Sequence, residues 1–272
     1  MALAGPLLLV GCGKMGGALL RGWLAGGLPV CEAVVVEPNV AALGELVALG
    51  VVAVADAAAV PPAMAPRVVV LAVKPQMMDG VLPALRRFVR PGTAFLSIAA
   101  GKTIATLTDR LGAGAAVVRA MPNTPAAVGH GISVACAGPA VTAAQRDLST
   151  ALLAAVGEVA WVEDEALLDP VTAVSGGGPA YVFLLIECLA QAGVEAGLPA
   201  DLAMRLARAT VAGSGELARL SDEPAATLRQ NVTSPAGTTL EALKVLMAPD
   251  GLQALMTKAI AAATRRSREL AT

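Results

Sequence analysis

Through the first 160 residues, short and mainly apolar runs alternate with longer stretches whose apolar positions recur at helical spacing. The pattern predicts strands at 7–10, 34–36, 68–73, 95–98, 116–120, 132–135 and 159–162. Between them it predicts helices at 14–25, 40–49, 77–89, 104–111 and 143–156. Continuous apolar strands of this kind are buried on both faces, as in a parallel sheet covered by helices on either side. From Asp164 onward only helical periodicity remains, at 165–174, 179–197, 200–219, 224–231, 238–247 and 250–270. Asp164, Pro199 with Asp201, and Pro249 with Asp250 supply helix-start signals. The change of pattern predicts an α/β domain over 1–163 and an all-α domain over 164–272.

Composition adds a partner to this picture. Hydrophobic residues make up 56% of the 272, and charged residues only 15%. That much apolar surface needs a cover, and a second subunit is the expected one. A bilayer is not expected, because the most apolar stretch, 179–189, follows three glycines and carries Glu187. With a net charge of −1 and interspersed signs, no nucleic-acid partner is expected. Four scattered cysteines and a single histidine, His130, fit neither a disulfide framework nor a metal site. The first residues lack the basic start of a secretory signal, and the expected location is cytoplasmic.

The chemistry begins at Gly11-Cys12-Gly13-Lys14-Met15-Gly16, between the first strand and the first helix. In that setting the glycines allow a tight turn, a close approach by pyrophosphate, and helix–strand packing, which defines a Rossmann-type dinucleotide site. Gly11, Gly13, Lys14, Met15 and Gly16 are therefore cofactor-binding candidates. Glu37 ends the second strand, where an acid usually accepts from the adenosine ribose and disfavours a 2′-phosphate; the alternative is that it points into water. Whether the cofactor is NADP or NAD stays open. Ala72, Val73, Lys74 and Pro75 follow the third predicted strand, and Ala99 and Ala100 follow the fourth. Strand ends of this kind bind ligands in open sheets, and the two small alanines leave room for a nicotinamide. Pro122 and Asn123 lie in a further strand-end loop kept extended by its prolines.

A second constellation lies far downstream. Asn231-Val232-Thr233-Ser234-Pro235-Ala236-Gly237-Thr238-Thr239 precedes an apolar helical run. Helix starts carry unpaired N–H donors and partial positive charge, which suit a small carboxylate. Ser234 and Thr238 serve equally well as helix N-caps on this reading, and the two roles are compatible.

Taken together these segments resemble the pyrroline-5-carboxylate reductases. The resemblance covers nearly the whole chain and includes Ala72-Val73-Lys74-Pro75, Ser97-Ile98-Ala99-Ala100-Gly101, Arg119 through Pro125 and Ser175-Gly176-Gly177-Gly178-Pro179-Ala180-Tyr181. Its most specific part is 233–239. It implies reduction of 1-pyrroline-5-carboxylate to L-proline with NAD(P)H, and a helical domain that interlocks two subunits, often within larger rings. It further implies that Thr239 bonds the imine nitrogen, while Asn231, Ser234, Gly237 and Thr238 hold the carboxylate. Two departures stand out. Gly177 replaces a serine common in the family, and Asp56 stands near the adenosine side, where a neutral polar residue is usual. A β-hydroxyacid dehydrogenase is the nearest rival, but 175–187 lacks the lysine that chemistry uses; a nucleotide-sensing protein without turnover is the other.

Overall fold

A computed structural model describes residues 5–270. The chain divides into two compact units, 1–176 with 263–272, and 177–262. The first packing boundary thus falls at Gly176, later than the change of pattern near residue 163, and the end of the chain returns to the first unit.

The first unit contains β1 (Leu7–Val10), α1 (Lys14–Ala25), β2 (Ala33–Val36), α2 (Gly44–Ala48) and β3 (Val52–Val54). It continues with β4 (Val68–Leu71), α3 (Met78–Leu85), β5 (Ala94–Ser97) and α4 (Ile104–Leu111). Next come β6 (Ala116–Met121), β7 (Gly131–Ala137), α5 (Ala143–Ala154), β8 (Gly157–Trp161) and α6 (Leu168–Val171). They form one eight-stranded sheet in the order β3-β2-β1-β4-β5-β6-β7-β8. The order reverses between β1 and β4, the kind of switch point at which open sheets bind ligands. Alternate residues of each strand feed two layers. Leu7, Leu9, Val68 and Val70 pack with Trp23 and Leu152 on one face, and Leu8, Val10, Val69 and Phe95 with Met78 and Leu107 on the other.

Trp23 ties α1 to α5. It is fully buried, and its Nε1 donates to the Leu152 carbonyl at 2.8 Å. Trp23→Phe leaves that carbonyl without its donor, at a cost of about 2 kcal/mol. A thermal scan is expected to show Tm lower by roughly 4–8 °C; an unchanged Tm would show that the bond adds nothing.

Several expectations need correction. β3 was absent from the sequence pattern because it is a three-residue edge strand, partly exposed and followed by an alanine-rich turn. The helix expected over 40–49 is a 3₁₀ turn followed by five α-helical residues from Gly44, a poor helix former. The sheet is not wholly parallel, because β7 pairs antiparallel with β6. A short connection, Thr124–Val128 and the residues beside it, returns the chain directly where a parallel neighbour needs a crossover.

The second unit is helical: α7 (Gly178–Glu195), α8 (Ala200–Leu220), α9 (Ala225–Asn231), α10 (Thr238–Leu246) and the first turns of α11 (Leu252–Leu270). Among the described residues it buries little. Ala190 of α7 and Ala203 and Ala207 of α8 are buried, while α9 and α10 bury nothing. Phe183 is 60% exposed and Val245 72%. The glycines at 176–178 do not interrupt the helical path as expected, because a π-helical turn at Thr172–Gly176 carries it into α7. Residues 165–195 are consequently long and apolar enough to cross a bilayer by length and composition alone, a property that a subunit-contact helix of a protein without a membrane span can share.

Candidate active site

The nucleotide candidates of the first unit gather at the switch point. Gly11 leaves β1 with φ +90°, and a Cβ there would meet the Ala72 carbonyl at 2.8 Å. Gly16 is closed to a side chain by the Gly11 carbonyl, so helix α1 lies directly on the turn. Gly13 differs: it is exposed, and a Cβ there would meet no protein atom within 4 Å. Gly13 is also the N-cap of α1, and among the described residues no side chain caps that helix. Lys14, Met15 and Gly16 therefore offer first-turn N–H groups beside open space, which fits a pyrophosphate.

Glu37 does not point into water. Its Oε2 accepts from the Cys12 N–H at 2.9 Å and its Oε1 from the Asn39 N–H at 3.2 Å, which draws the carboxylate onto the glycine loop. Burial, and then this carboxylate, push the Cys12 thiol above its ordinary pKa, so it stays neutral. On one side of the loop is a cavity of about 250 Å³ with Lys14 and Arg21 in its wall. A second cavity, of about 160 Å³, is lined by Val36, Pro38, Asp56, Val73 and Met77. Asp56 there also accepts from the Ala58 N–H at 2.7 Å, which starts the turn Ala57–Ala59. Arg87 holds that turn from outside, donating Nη2 to the Ala57 and Val60 carbonyls at 2.8 Å each. Sequence reading missed Arg87, since no local pattern links it to a turn some thirty residues away.

The remaining strand ends lie side by side in the order β1, β4, β5, β6. They carry Gly11; Ala72, Val73, Lys74 and Pro75; Ala99 and Ala100; and Pro122 and Asn123. Asn123 braces its own loop, its Oδ1 accepting from the Ile132 N–H at 2.9 Å. His130 is exposed on the same connection.

The downstream candidates gather in the second unit. Ser234-Pro235-Ala236-Gly237 is a β-turn closed by the Gly237 N–H donating to the Ser234 carbonyl at 3.1 Å. Ala236 has φ +55°, the one positive value among the described non-glycine residues. It occupies the turn position that usually requires glycine or asparagine. Neither Ser234 nor Thr238 caps the helix: Gly237 is the N-cap of α10, and no described side chain caps it. A Cβ on Gly237 would run into the Ser234 hydroxyl. The first paired N–H of α10 is that of Leu240, to the Gly237 carbonyl at 3.1 Å. The N–H groups and hydroxyls of Thr238 and Thr239 precede it and are exposed. Asn231 donates Nδ2 to Glu223 at 3.3 Å.

Residues 165–270 match the family model for pyrroline-5-carboxylate reductase dimerisation. Residues 7–101 match a model described as NADP oxidoreductase, coenzyme F420-dependent, which covers the nucleotide-loop end alone. The chain is 41% identical to a pyrroline-5-carboxylate reductase of Pseudomonas aeruginosa, over 97% of this chain and 96% of that protein. Among solved structures, a pyrroline-5-carboxylate reductase from Coxiella burnetii superposes with a TM-score of 0.91 at 34% identity, covering 98% and 99% of the two chains. The Plasmodium falciparum pyrroline carboxylate reductase with NADP bound gives 0.83 at 28% identity, each chain covered completely. Identity of this order, along nearly the whole of both chains, leaves one conclusion: the chain belongs to the pyrroline-5-carboxylate reductase family.

Proposed function

We propose that this protein reduces 1-pyrroline-5-carboxylate to L-proline. The observation that carries the reading is the 41% identity with a reductase of that name along 97% of the chain. When bound, a reduced nicotinamide dinucleotide supplies the hydride. Gly11, Gly13, Lys14, Met15 and Gly16 would hold its pyrophosphate, Glu37 and Asp56 its adenosine end. Ala72 to Pro75, Ala99, Ala100, Pro122 and Asn123 would border its ring. The turn at 234–237 and the start of α10 would hold the substrate carboxylate through Ser234 and the backbone around Gly237 and Thr238, with the Gly237 N–H itself kept by the Ser234 carbonyl and Asn231 alongside. The Thr239 hydroxyl would bond the imine nitrogen and orient the ring. A protonated cyclic imine is already electrophilic, so positioning contributes most of the rate and no acid–base triad is required.

We divide the chain functionally into a dinucleotide-binding segment, 1–163, and a substrate-binding and dimerisation segment, 164–272. The division follows the start of the dimerisation match at 165 rather than the packing boundary. The exposed apolar faces of α7 to α11 are the surface a homodimer buries, and a larger ring of dimers is the assembly we expect. That dimer covers the apolar stretch at 165–195 without a bilayer. Four unpaired cysteines fit a reducing compartment, and we assign the enzyme to the cytoplasm.

Both nicotinamide cofactors should serve. Glu37 on the loop and Asp56 beside it oppose a 2′-phosphate, while Lys14 and Arg21 in the neighbouring cavity offset that repulsion. Steady-state assays with the imine are expected to give kcat/KM values for NADH and NADPH within about a hundredfold, roughly 2.7 kcal/mol. A larger preference for NADPH would overturn the reading of Glu37 and Asp56. No oxidation of either cofactor would overturn the activity itself.

A further inference from the structure

The last turn of α11 is fastened to the first unit by a buried polar contact. Ser267, 7% exposed, donates its hydroxyl to Asp169 Oδ1 at 2.7 Å, and Asp169 is 9% exposed. Arg268 Nε stands 3.9 Å from the other carboxylate oxygen. Asp169 sits in α6 next to Leu168, which is fully buried in the core beside α4. One turn beyond Ser267, the backbone of Leu270 lies on Gly101. Gly101 is buried with φ +73°, and a Cβ there would meet the Leu270 carbonyl oxygen at 2.8 Å. Gly101 ends the turn that leaves β5 through Ala99 and Ala100.

The same turn is gripped from its other end. Glu165 Oε1 accepts from the Ile104 N–H at 2.9 Å and from Arg119 Nη1 at 2.9 Å, with the Arg119 side chain only 6% exposed. Residues 98–104 are thus held between Glu165 and Leu270, and Asp169 bonds the helical turn that precedes Leu270. A buried carboxylate is a poor choice if adhesion alone were needed, because an apolar residue of similar size would pack at lower desolvation cost. What it adds is direction: a charge-assisted bond admits one rotation and one register of the helix.

We infer that Asp169 is a positioning residue for hydride transfer, seating Ser267 and the end of α11 so that Leu270 fixes the Ala99–Ala100–Gly101 turn. The inference rests on the proposed placement of Ala99 and Ala100 beside the nicotinamide. Transfer to an imine carbon is steep in distance and angle, and a turn free to shift by a fraction of an ångström loses rate without losing affinity.

The test uses full-length Asp169→Ala, Asp169→Asn and Ser267→Ala. In the free enzyme, amide hydrogen exchange over 98–104 is expected to be about tenfold faster in Asp169→Ala and Ser267→Ala, and unchanged in β1 and α1. kcat is expected to fall about tenfold while the nucleotide Kd stays within about threefold. The primary isotope effect with 4-deuterated cofactor should rise, because hydride transfer becomes slower. Asp169→Asn keeps an acceptor for Ser267 and should recover most of the turnover. Wild-type exchange and kcat in the two alanine variants would overturn the inference. So would faster exchange throughout the sheet with a proportionate loss of nucleotide affinity, which marks a purely structural role. If Asp169→Ala does not fold, Ser267→Ala decides alone. Ala100→Leu separates the underlying placement: normal kcat there overturns the placement of Ala100, whereas impaired kcat with normal Asp169 and Ser267 variants overturns the positioning role only.

Discussion

Gly13→Val is expected to fold normally and to lose dinucleotide binding by at least a hundredfold, roughly 2.7 kcal/mol. The first half of that outcome follows from the space over the Gly13 Cα, where an added Cβ meets nothing within 4 Å beyond its own stretch of chain. The second follows because that same space is where pyrophosphate must approach the backbone. Gly16→Val is the contrast. Its side chain would enter the Gly11 carbonyl, so stability should fall before binding can be measured. Titrating cofactor fluorescence against Gly13→Val, with a thermal scan alongside, reads both halves. Retained affinity in a folded Gly13→Val protein would remove the glycine loop from the nucleotide site.

Thr239→Ala is expected to lower kcat by about a hundredfold, the size of effect seen when one positioned hydrogen-bonding group is removed from a reacting centre. Nucleotide affinity should not change, because Thr239 lies on α10 of the helical unit, outside the glycine loop and its cavities. Stability should change little, since the Thr239 side chain is exposed and is not the cap of its helix. Thr239→Ser, which keeps the hydroxyl, should recover most of the rate. Single-turnover kinetics separate the chemical step from product release, and an unaltered hydride-transfer rate in Thr239→Ala would take its hydroxyl out of the mechanism.

What was legible in the chain was what repeats at short range. Strands such as Leu7–Val10 and Val68–Leu71 announce themselves because every residue is buried. The glycine loop announces itself because strand, turn and helix follow one another within a few residues. β3 escaped because an edge strand of three residues buries too little to show a pattern. The rotation of Glu37 onto Cys12, the hold of Arg87 on its turn and the pairing of Ser267 with Asp169 escaped for another reason. They join residues separated by 25, 27 to 30, and 98 positions, and only the folded backbone brings them together. The π-helical turn at Thr172–Gly176 runs past the end of the helix that the pattern predicts over 165–174, because periodicity cannot reveal one extra residue in a turn. The same limit explains the downstream site. Motif resemblance picked out 231–239, yet an alanine in left-handed backbone is not something composition foretells.

That alanine has a consequence for the substrate placement proposed above. A glycine at the same place would let the loop wander through many shapes and would have to be frozen at each encounter. With a methyl group at Ala236, a bent conformation that costs on the order of 1 kcal/mol is kept by the fixed φ of Pro235 and by the Gly237 N–H bond to the Ser234 carbonyl. On the proposed placement of the substrate carboxylate, the expense of ordering is met once, when the polypeptide folds, and not again at each encounter.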